Sequence, residues 1–202
     1  TRRGKENVGM AKKRALITGI TGMVGSHLAD YLLQNTDWDV YGFLRWSDDL
    51  SNIRHLSPKI NMGDRIHLVY GDLNDSMSIM HALNDTRPDY VFHLAAQSYP
   101  KTSFNSPLET LETNIMGTTR ILEAIRLQNM SPIVHVCASS EVFGRVPPEM
   151  LPIDEEVPFH PASPYAISKV GTDLIGRFYA EAYDMTVMTT RMFTHTGPRR
   201  GD

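Results

Sequence analysis

Six short runs of β-forming residues, each almost continuously apolar, are spaced along the chain with helical patterns between them, and this alternation constrains the fold most. The runs are Ala15 to Thr18, Val40 to Leu44, Ile66 to Tyr70, Tyr90 to Leu94, Ile133 to Ala138 and Thr186 to Arg191. A strand with one wet face alternates apolar and polar side chains, so a run without alternation suits a strand covered on both faces. The intervening segments supply the covers. Val24, Leu28 and Leu32 recur at helical spacing, and Leu108, Leu111, Ile115, Leu122 and Ile125 mark a longer amphipathic helix that Pro107 can open. Ser163-Pro164 gives a cap-then-proline start to a helix over Tyr165 to Tyr183. Strands and helices in alternation imply parallel βαβ units with right-handed crossovers, so the expected fold class is α/β, a doubly wound parallel sheet. At 202 residues and 41% hydrophobic composition the chain can bury one such core.

The bulk numbers exclude several functions. With 20 Lys and Arg against 23 Asp and Glu, the net charge of -3 offers no broad positive field for nucleic acid or a membrane surface. No run of ~18 apolar residues is present, and Cys137, the single cysteine, cannot form an internal disulfide, so a cytoplasmic location is expected. The eight histidines show no metal-ligand spacing, and Asp72 to Ser76 lacks the glycine and glutamate of a calcium loop, so no metal is expected. Residues 1–9 read as a leader ahead of Met10, which leaves 10–202 as the domain. The segment Arg145 to Pro164, with prolines at 147, 148, 152, 158 and 161, reads as an ordered but irregular loop.

Thr18-Gly19-Ile20-Thr21-Gly22-Met23-Val24-Gly25 follows the first strand and opens the first helix. Gly19 allows the tight turn, Gly22 lets backbone amides approach a pyrophosphate, and Gly25 permits close packing of helix on sheet. Flanked in this way, the turn reads as Rossmann-type and binds a dinucleotide through Gly19, Thr21, Gly22, Met23 and Val24. The second strand ends in Gly42-Phe43-Leu44-Arg45-Trp46-Ser47, with no acid directly beside Arg45. Arg45 can pair with a 2′-phosphate, which favours NADP; the alternative is a surface arginine, with Asp48 or Asp49 reaching back to the ribose. In His93-Leu94-Ala95-Ala96 small residues let backbone lie beside the nicotinamide-ribose half, making Leu94, Ala95 and Ala96 further contacts.

Tyr165 and Lys169 stand four apart, on one face of the last helix. A nearby ammonium lowers a phenol's pKa, and the tyrosinate can take a proton from a sugar hydroxyl while the carbinol hydride leaves for nicotinamide.

The glycines at spacing three and three, the strand end Cys137-Ala138-Ser139-Ser140-Glu141, and the Tyr165 and Lys169 pair, in this order, resemble the extended short-chain dehydrogenase/reductases, the NAD(P)-dependent epimerases and dehydratases of nucleotide sugars. The resemblance implies that Ser139 completes a triad with Tyr165 and Lys169, that Tyr165 and Lys169 also contact the cofactor, and that Asp72 and Leu73, at the third strand end, contact adenine; the alternative for Asp72 is a plain turn aspartate. Glu141, two residues past Ser139, points to the dehydratase branch. Elimination needs a carboxylate to remove the C5 proton once C4 is oxidised; the alternative is a solvent-facing or turn-capping glutamate.

Ala95-Ala96-Gln97-Ser98, Pro161-Ala162-Ser163-Pro164-Tyr165 and Gly197-Pro198-Arg199-Arg200-Gly201 are similar to the GDP-mannose 4,6-dehydratases, and the likeness runs from Ala15 to Asp202. It implies conversion of GDP-mannose to GDP-4-keto-6-deoxy-mannose by NADP-mediated internal hydride transfer, with Ser140 as helper acid and Ser98, Thr194 and Arg199 facing the substrate. It also implies a homo-oligomer, dimer or tetramer, in which the loop Arg45 to Asn52 reaches a neighbouring subunit, and a nucleotide-gripping C-terminal segment beyond Asp202. Three departures stand out: Ser139 in place of Thr, Trp46 in place of Arg, and Thr194-His195-Thr196-Gly197 in place of Asn-His-Glu-Ser. The stretch Arg191 to Pro198 also resembles the GDP-4-keto-6-deoxy-mannose reductases, which are the alternative reading. A relative that binds NADP without turnover is a further alternative, against which the intact Ser139, Tyr165 and Lys169 argue.

Overall fold

The computed structural model describes residues 11–200; the expected leader over 1–9 and Gly201 lie outside the described residues. Along the chain run β1 (Arg14–Thr18), α1 (Met23–Asn35), β2 (Asp39–Leu44), α2 (Ser57–Met62), β3 (Ile66–Tyr70), α3 (Ser76–Thr86) and β4 (Tyr90–His93). There follow α4 (Pro100–Asn105), α5 (Pro107–Leu111), α6 (Gly117–Leu127), β5 (Ile133–Cys137), α7 (Pro164–Tyr183) and β6 (Val187–Thr190). The six strands form one parallel sheet of order β3-β2-β1-β4-β5-β6. All six expected strands are present, with ends that differ from the sequence reading by at most one residue.

The lack of alternation in the strands has the expected cause. Leu16, Val91, Val134 and Val136 pack on one face against Leu83 of α3 and Ile121, Leu122 and Ile125 of α6. Ala15, Ile17 and Val40 pack on the other against Ala29, Leu32 and Leu33 of α1, with Ile53 and Leu56 beyond. Each fully buried Leu, Ile or Val contributes about 1.5–3 kcal/mol relative to exposure, so the two covers act together to fix the strand register.

The helix expected after Pro107 differs in one respect. The chain is helical from Pro107 to Leu127, but Glu112–Met116 forms a π turn between α5 and α6. The wider turn resets the helical phase, so the apolar stripe is not continuous. Beyond it Ile121, Leu122 and Ile125 face the core, whereas the inward positions are Thr110 before it and Asn114 within it, and Leu108 is 80% exposed. Leu108, Leu111, Ile115 and Met116 line an open apolar groove instead.

The segment between β5 and α7 is irregular and well anchored, as expected. His160 N donates to Val142 O at 2.9 Å. Arg191 reaches from just past β6 to Glu155 O (2.9 Å) and to Asp173 Oδ2 (2.8 Å), stacking over Phe159 on the way. Between β1 and β4 the sheet order reverses direction. The loops leaving these two strands therefore part, and open a crevice at their carboxyl ends.

Candidate active site

The crevice is a cleft of about 530 Å³. Its first wall is the glycine turn. Gly19 has a φ of 73°, and a Cβ there would stand 2.9 Å from Ala95 N, so only glycine lets the turn lie against the end of β4. A Cβ at Gly25 would run into the carbonyl oxygen of Gly19, which fixes α1 under the turn. Gly22 is the N-cap of α1; no side chain caps the helix and its first turn holds no acid. The first amides of α1 thus remain available at the positive end of the helix dipole, as an anionic pyrophosphate requires.

A buried polar chain runs beneath that wall. Thr18 Oγ1 accepts from Leu94 N and Ala95 N, both at 3.1 Å, and lies 2.8 Å from His93 Nδ1. His93 Nε2 lies 3.0 Å from Thr118 Oγ1, which itself donates to Asn114 O at 2.6 Å. The proton on Thr118 is therefore committed, so Nε2 must carry the imidazole proton and Nδ1 accepts from Thr18. Burial first, then repulsion by Lys169 and His135, holds His93 neutral, with a pKa lowered to about 3.

Asn114, inside the π turn, accepts from Gln97 N (2.8 Å) and donates to Gln97 O (3.0 Å) and Ser168 Oγ (2.8 Å). It thereby ties the loop after β4 to α7. Neither His93 nor Asn114 was singled out from sequence. The only signal for Asn114 was an amide in a row of apolar helix positions.

The opposite wall is built by β5 and α7. Ser163 caps α7 by accepting from Ala166 N at 3.0 Å, Pro164 starts it, and Tyr165 falls in the first turn. Lys169, one turn on and 5% exposed, donates from Nζ to Cys137 O at 2.8 Å, with Nζ 5.9 Å from the Tyr165 ring centre. Ser139 lies two residues past the end of β5, and its hydroxyl accepts from Glu141 N at 3.2 Å. Glu141 is the second residue of a short 3-10 turn, Ser140–Phe143, and is exposed at the cleft.

The expected lowering of the phenol pKa is not what this geometry gives. Burial raises Tyr165 above the ordinary tyrosine value, a hydrogen bond from Ser139 lowers it in part, and Cys137 and Glu141 raise it further. Burial likewise lowers Lys169. Desolvation outweighs the lysine charge because the ammonium is turned to the Cys137 carbonyl.

Most of the residues expected from sequence line this one cleft. Gly19, Thr21, Gly22, Met23 and Val24 lie at one end, Leu94, Ala96 and Ser98 in the middle, and Ser139, Ser140, Glu141, Tyr165 and Lys169 at the other. Thr194 and Arg199 lie across it, although Arg199 Nη1 stands 2.7 Å from Asp30 Oδ2 of α1 and so faces the helix flanking the glycine turn. Cys137, Asn52, Tyr99 and His195 also line the cleft and were not expected.

Four expected contacts sit apart from the lining. Ala95 is held by Thr18, as described. Leu73 is buried in the core against Gly117, leaving only its backbone for a ligand. Asp72 Oδ1 accepts from Asn74 N at 2.9 Å, the turn alternative. Arg45 is paired with Asp48 beyond β2.

Residues 16–202 match the GDP-mannose 4,6 dehydratase family. The chain belongs to that family. A GDP-mannose 4,6 dehydratase of Drosophila melanogaster is 41% identical over 196 residues, a match that covers 94% of this chain and 49% of that one. Among solved structures, DesIV, a dTDP-glucose 4,6-dehydratase from Streptomyces venezuelae with NAD and TYD bound, superposes with a TM-score of 0.81 at 29% identity, over 93% of this chain and 57% of that one. RMD from Pseudomonas aeruginosa complexed with NADPH gives 0.75 at 30% identity, over 95% and 57%. The chain thus spans about half the length of the curated relatives it matches. As a GDP-mannose 4,6-dehydratase family member it carries the glycine turn and the Ser139, Tyr165 and Lys169 set on opposite walls of one cleft. Among the described residues no group of acidic, His or Cys side chains could hold a metal ion, and no helix is long and apolar enough to cross a membrane.

Proposed function

We propose that the whole protein is a cytoplasmic, NADP-dependent nucleotide-sugar 4,6-dehydratase that converts GDP-mannose to GDP-4-keto-6-deoxy-mannose. The observation that carries this reading is the gathering of Ser139, Glu141, Tyr165 and Lys169 on one wall of a cleft whose other end is the glycine turn. The uncapped start of α1 would hold the pyrophosphate, Asp72 and the Leu73 backbone the adenosine, Arg45 the 2′-phosphate, and the Leu94 to Ala96 backbone the nicotinamide end. When bound, the dinucleotide would supply the acceptor for the C4 hydride and the donor that restores it at C6.

The chain's own groups supply the proton transfers. Ser139 and Tyr165 hold the C4 oxygen, and Tyr165, as the phenolate that the helix dipole at the start of α7 and the Lys169 charge favour, takes its proton and becomes the phenol. Glu141 then removes the C5 proton, made acidic by the C4 ketone, while Ser140 assists departure of the C6 hydroxyl as water. Ser98, Thr194 and Arg199 orient the sugar nucleotide.

We further assign homo-oligomer assembly to the apolar face shared by α5, the π turn that follows it and α7. Leu108, Met116, Ile167, Leu174 and Phe178 are all exposed there, and the Ile115 side chain crosses Gly171, joining the two helical surfaces.

Incubation of the full-length protein with GDP-mannose, with product mass and C5 deuterium uptake, tests the function. In Glu141→Gln, C4 oxidation should persist, the dehydration rate should fall ~100- to 10,000-fold, and reduced cofactor should accumulate at its absorbance band. If the wild type neither dehydrates nor exchanges C5, yet reduces the 4-keto sugar with added NADPH, the protein is a reductase.

A further inference from the structure

The turn that follows β2 holds an ion pair placed where the adenosine ribose of a dinucleotide arrives in this fold. Arg45 Nε donates to Asp48 Oδ1 at 2.9 Å, and Nη2 of the same guanidinium stands 2.9 Å from that oxygen. Asp48 Oδ2 accepts from the backbone N of Arg45 at 3.0 Å, and Asp48 N donates back to Arg45 O at 3.1 Å. One carboxylate thus grips a single arginine three times. The Asp48 side chain is 17% exposed against 63% for that of Arg45, so the acid lies inward and the guanidinium spreads over it.

This arrangement treats the two dinucleotides differently. A 2′-phosphate approaching Arg45 meets a guanidinium whose Nε–H and one Nη–H already point at a carboxylate, and it must then share one cation with a second anion. A ribose 2′-hydroxyl carries no charge, and can donate to the same carboxylate. Asp48 therefore costs NADP affinity and favours NAD, while Arg45 acts in the opposite direction.

We infer that Asp48 is a specificity-determining residue that counterbalances Arg45, so that the protein discriminates only weakly between NADP and NAD. This rests on the proposed role of Arg45 at the 2′-phosphate. It adds that the preference is set by the pair and not by the arginine alone.

The test is calorimetric titration of full-length protein with NADP and with NAD, for wild type, Asp48→Asn, Arg45→Ala and the double variant. Asp48→Asn should tighten NADP about tenfold, because the Arg45 guanidinium is then no longer shared with a carboxylate, and leave NAD unchanged or weaker. Arg45→Ala should weaken NADP alone, and Asp48→Asn should confer no gain in its presence. Asp48→Ser, which removes the same charge with a different shape, serves if the Asn variant shows altered unfolding without ligand. If both charge-removing variants leave the NADP to NAD ratio within about twofold of wild type while Arg45→Ala still weakens NADP, the inference is overturned and the NADP reading survives. If Arg45→Ala weakens both dinucleotides equally, the NADP reading falls first.

Discussion

Replacing His93 by glutamine should change how stability responds to acid far more than it changes stability at neutral pH. The imidazole is 4% exposed and makes one hydrogen bond in each direction, accepting from Thr18 and donating to Thr118. Glutamine offers one acceptor and one donor across a similar length, so at pH 7 the substitution should cost only about 1 kcal/mol, from imperfect packing. The titration is what it removes. Unfolded histidine binds a proton near pH 6.5, while folded His93 does so only at about 3. Between those values the unfolded chain holds more protons, so wild-type stability rises with pH and is lost as pH falls through 6.5 toward 3.

At 1.36 kcal/mol per unit this single residue removes ~2 kcal/mol on going from pH 7 to pH 5, and ~5 kcal/mol once both states are protonated. Glutamine has no such term. Urea unfolding at pH 7 and pH 5 should therefore show the variant losing ~2 kcal/mol less than wild type, which erases or inverts the neutral-pH ranking. Parallel losses in the two proteins would refute the idea that His93 is locked neutral. Nitrogen NMR of the imidazole gives an independent reading, since the hydrogen bonds demand a proton on Nε2 and a bare Nδ1. A comparison with His93→Leu isolates the polar part. That variant strands the Thr18 hydroxyl proton but takes from Thr118 only an incoming bond, so the extra cost should be about 1–3 kcal/mol and should fall mainly on Thr18.

Tyr165→Phe should lower the rate of C4 oxidation by ~100- to 10,000-fold with little change in dinucleotide affinity, as read by single-turnover absorbance and by titration. Ser163→Ala removes the side-chain cap of α7 and should cost about 1 kcal/mol in urea unfolding, with Ser163→Asp retaining the cap. Arg191→Met should destabilise by ~3 kcal/mol, because it leaves the 3%-exposed Asp173 with only Arg177, 3.6 Å away and half exposed; thermal unfolding with and without Asp173→Asn separates the stranded charge from lost packing over Phe159.

How far the sequence was legible depended on whether a residue's partner lay near it in the chain. The strands were readable because burial on both faces leaves a local mark, a run without alternation, and all six appear within a residue of their expected ends. Ser163-Pro164 was readable for the same reason, since a cap bonds three residues on. The π turn was not. Leu108 through Ile125 fits a single helical period closely enough to look like one stripe, and only the tertiary partners of Asn114, on α7 and after β4, reveal that an extra residue has slipped the phase. The sign of the Tyr165 shift was illegible too, because spacing along a helix shows a neighbouring charge but not the burial that outweighs it. Arg45 could be placed at the ribose end from its strand, yet its clasp by Asp48 depends on the shape of the turn.

The residues that could not be read explain why the readable ones meet. Hydrophobic packing would hold α6 and α7 against the sheet in many slightly rotated ways, since apolar contacts carry little direction. The buried chain from Thr18 through His93, Thr118 and Asn114 to Ser168 and Thr172 has partners in one arrangement only. It starts at the glycine turn and ends on α7 at Ser168 and Thr172, about one and two turns beyond Tyr165 and on either side of Lys169. Each link is a hydrogen bond in a dry interior, where leaving one unmade costs about 1–3 kcal/mol, so a rotation of α7 that breaks two of them is strongly disfavoured. The fold accepts a polar seam through its core, and in return the proton-transfer wall keeps its distance from the cofactor wall.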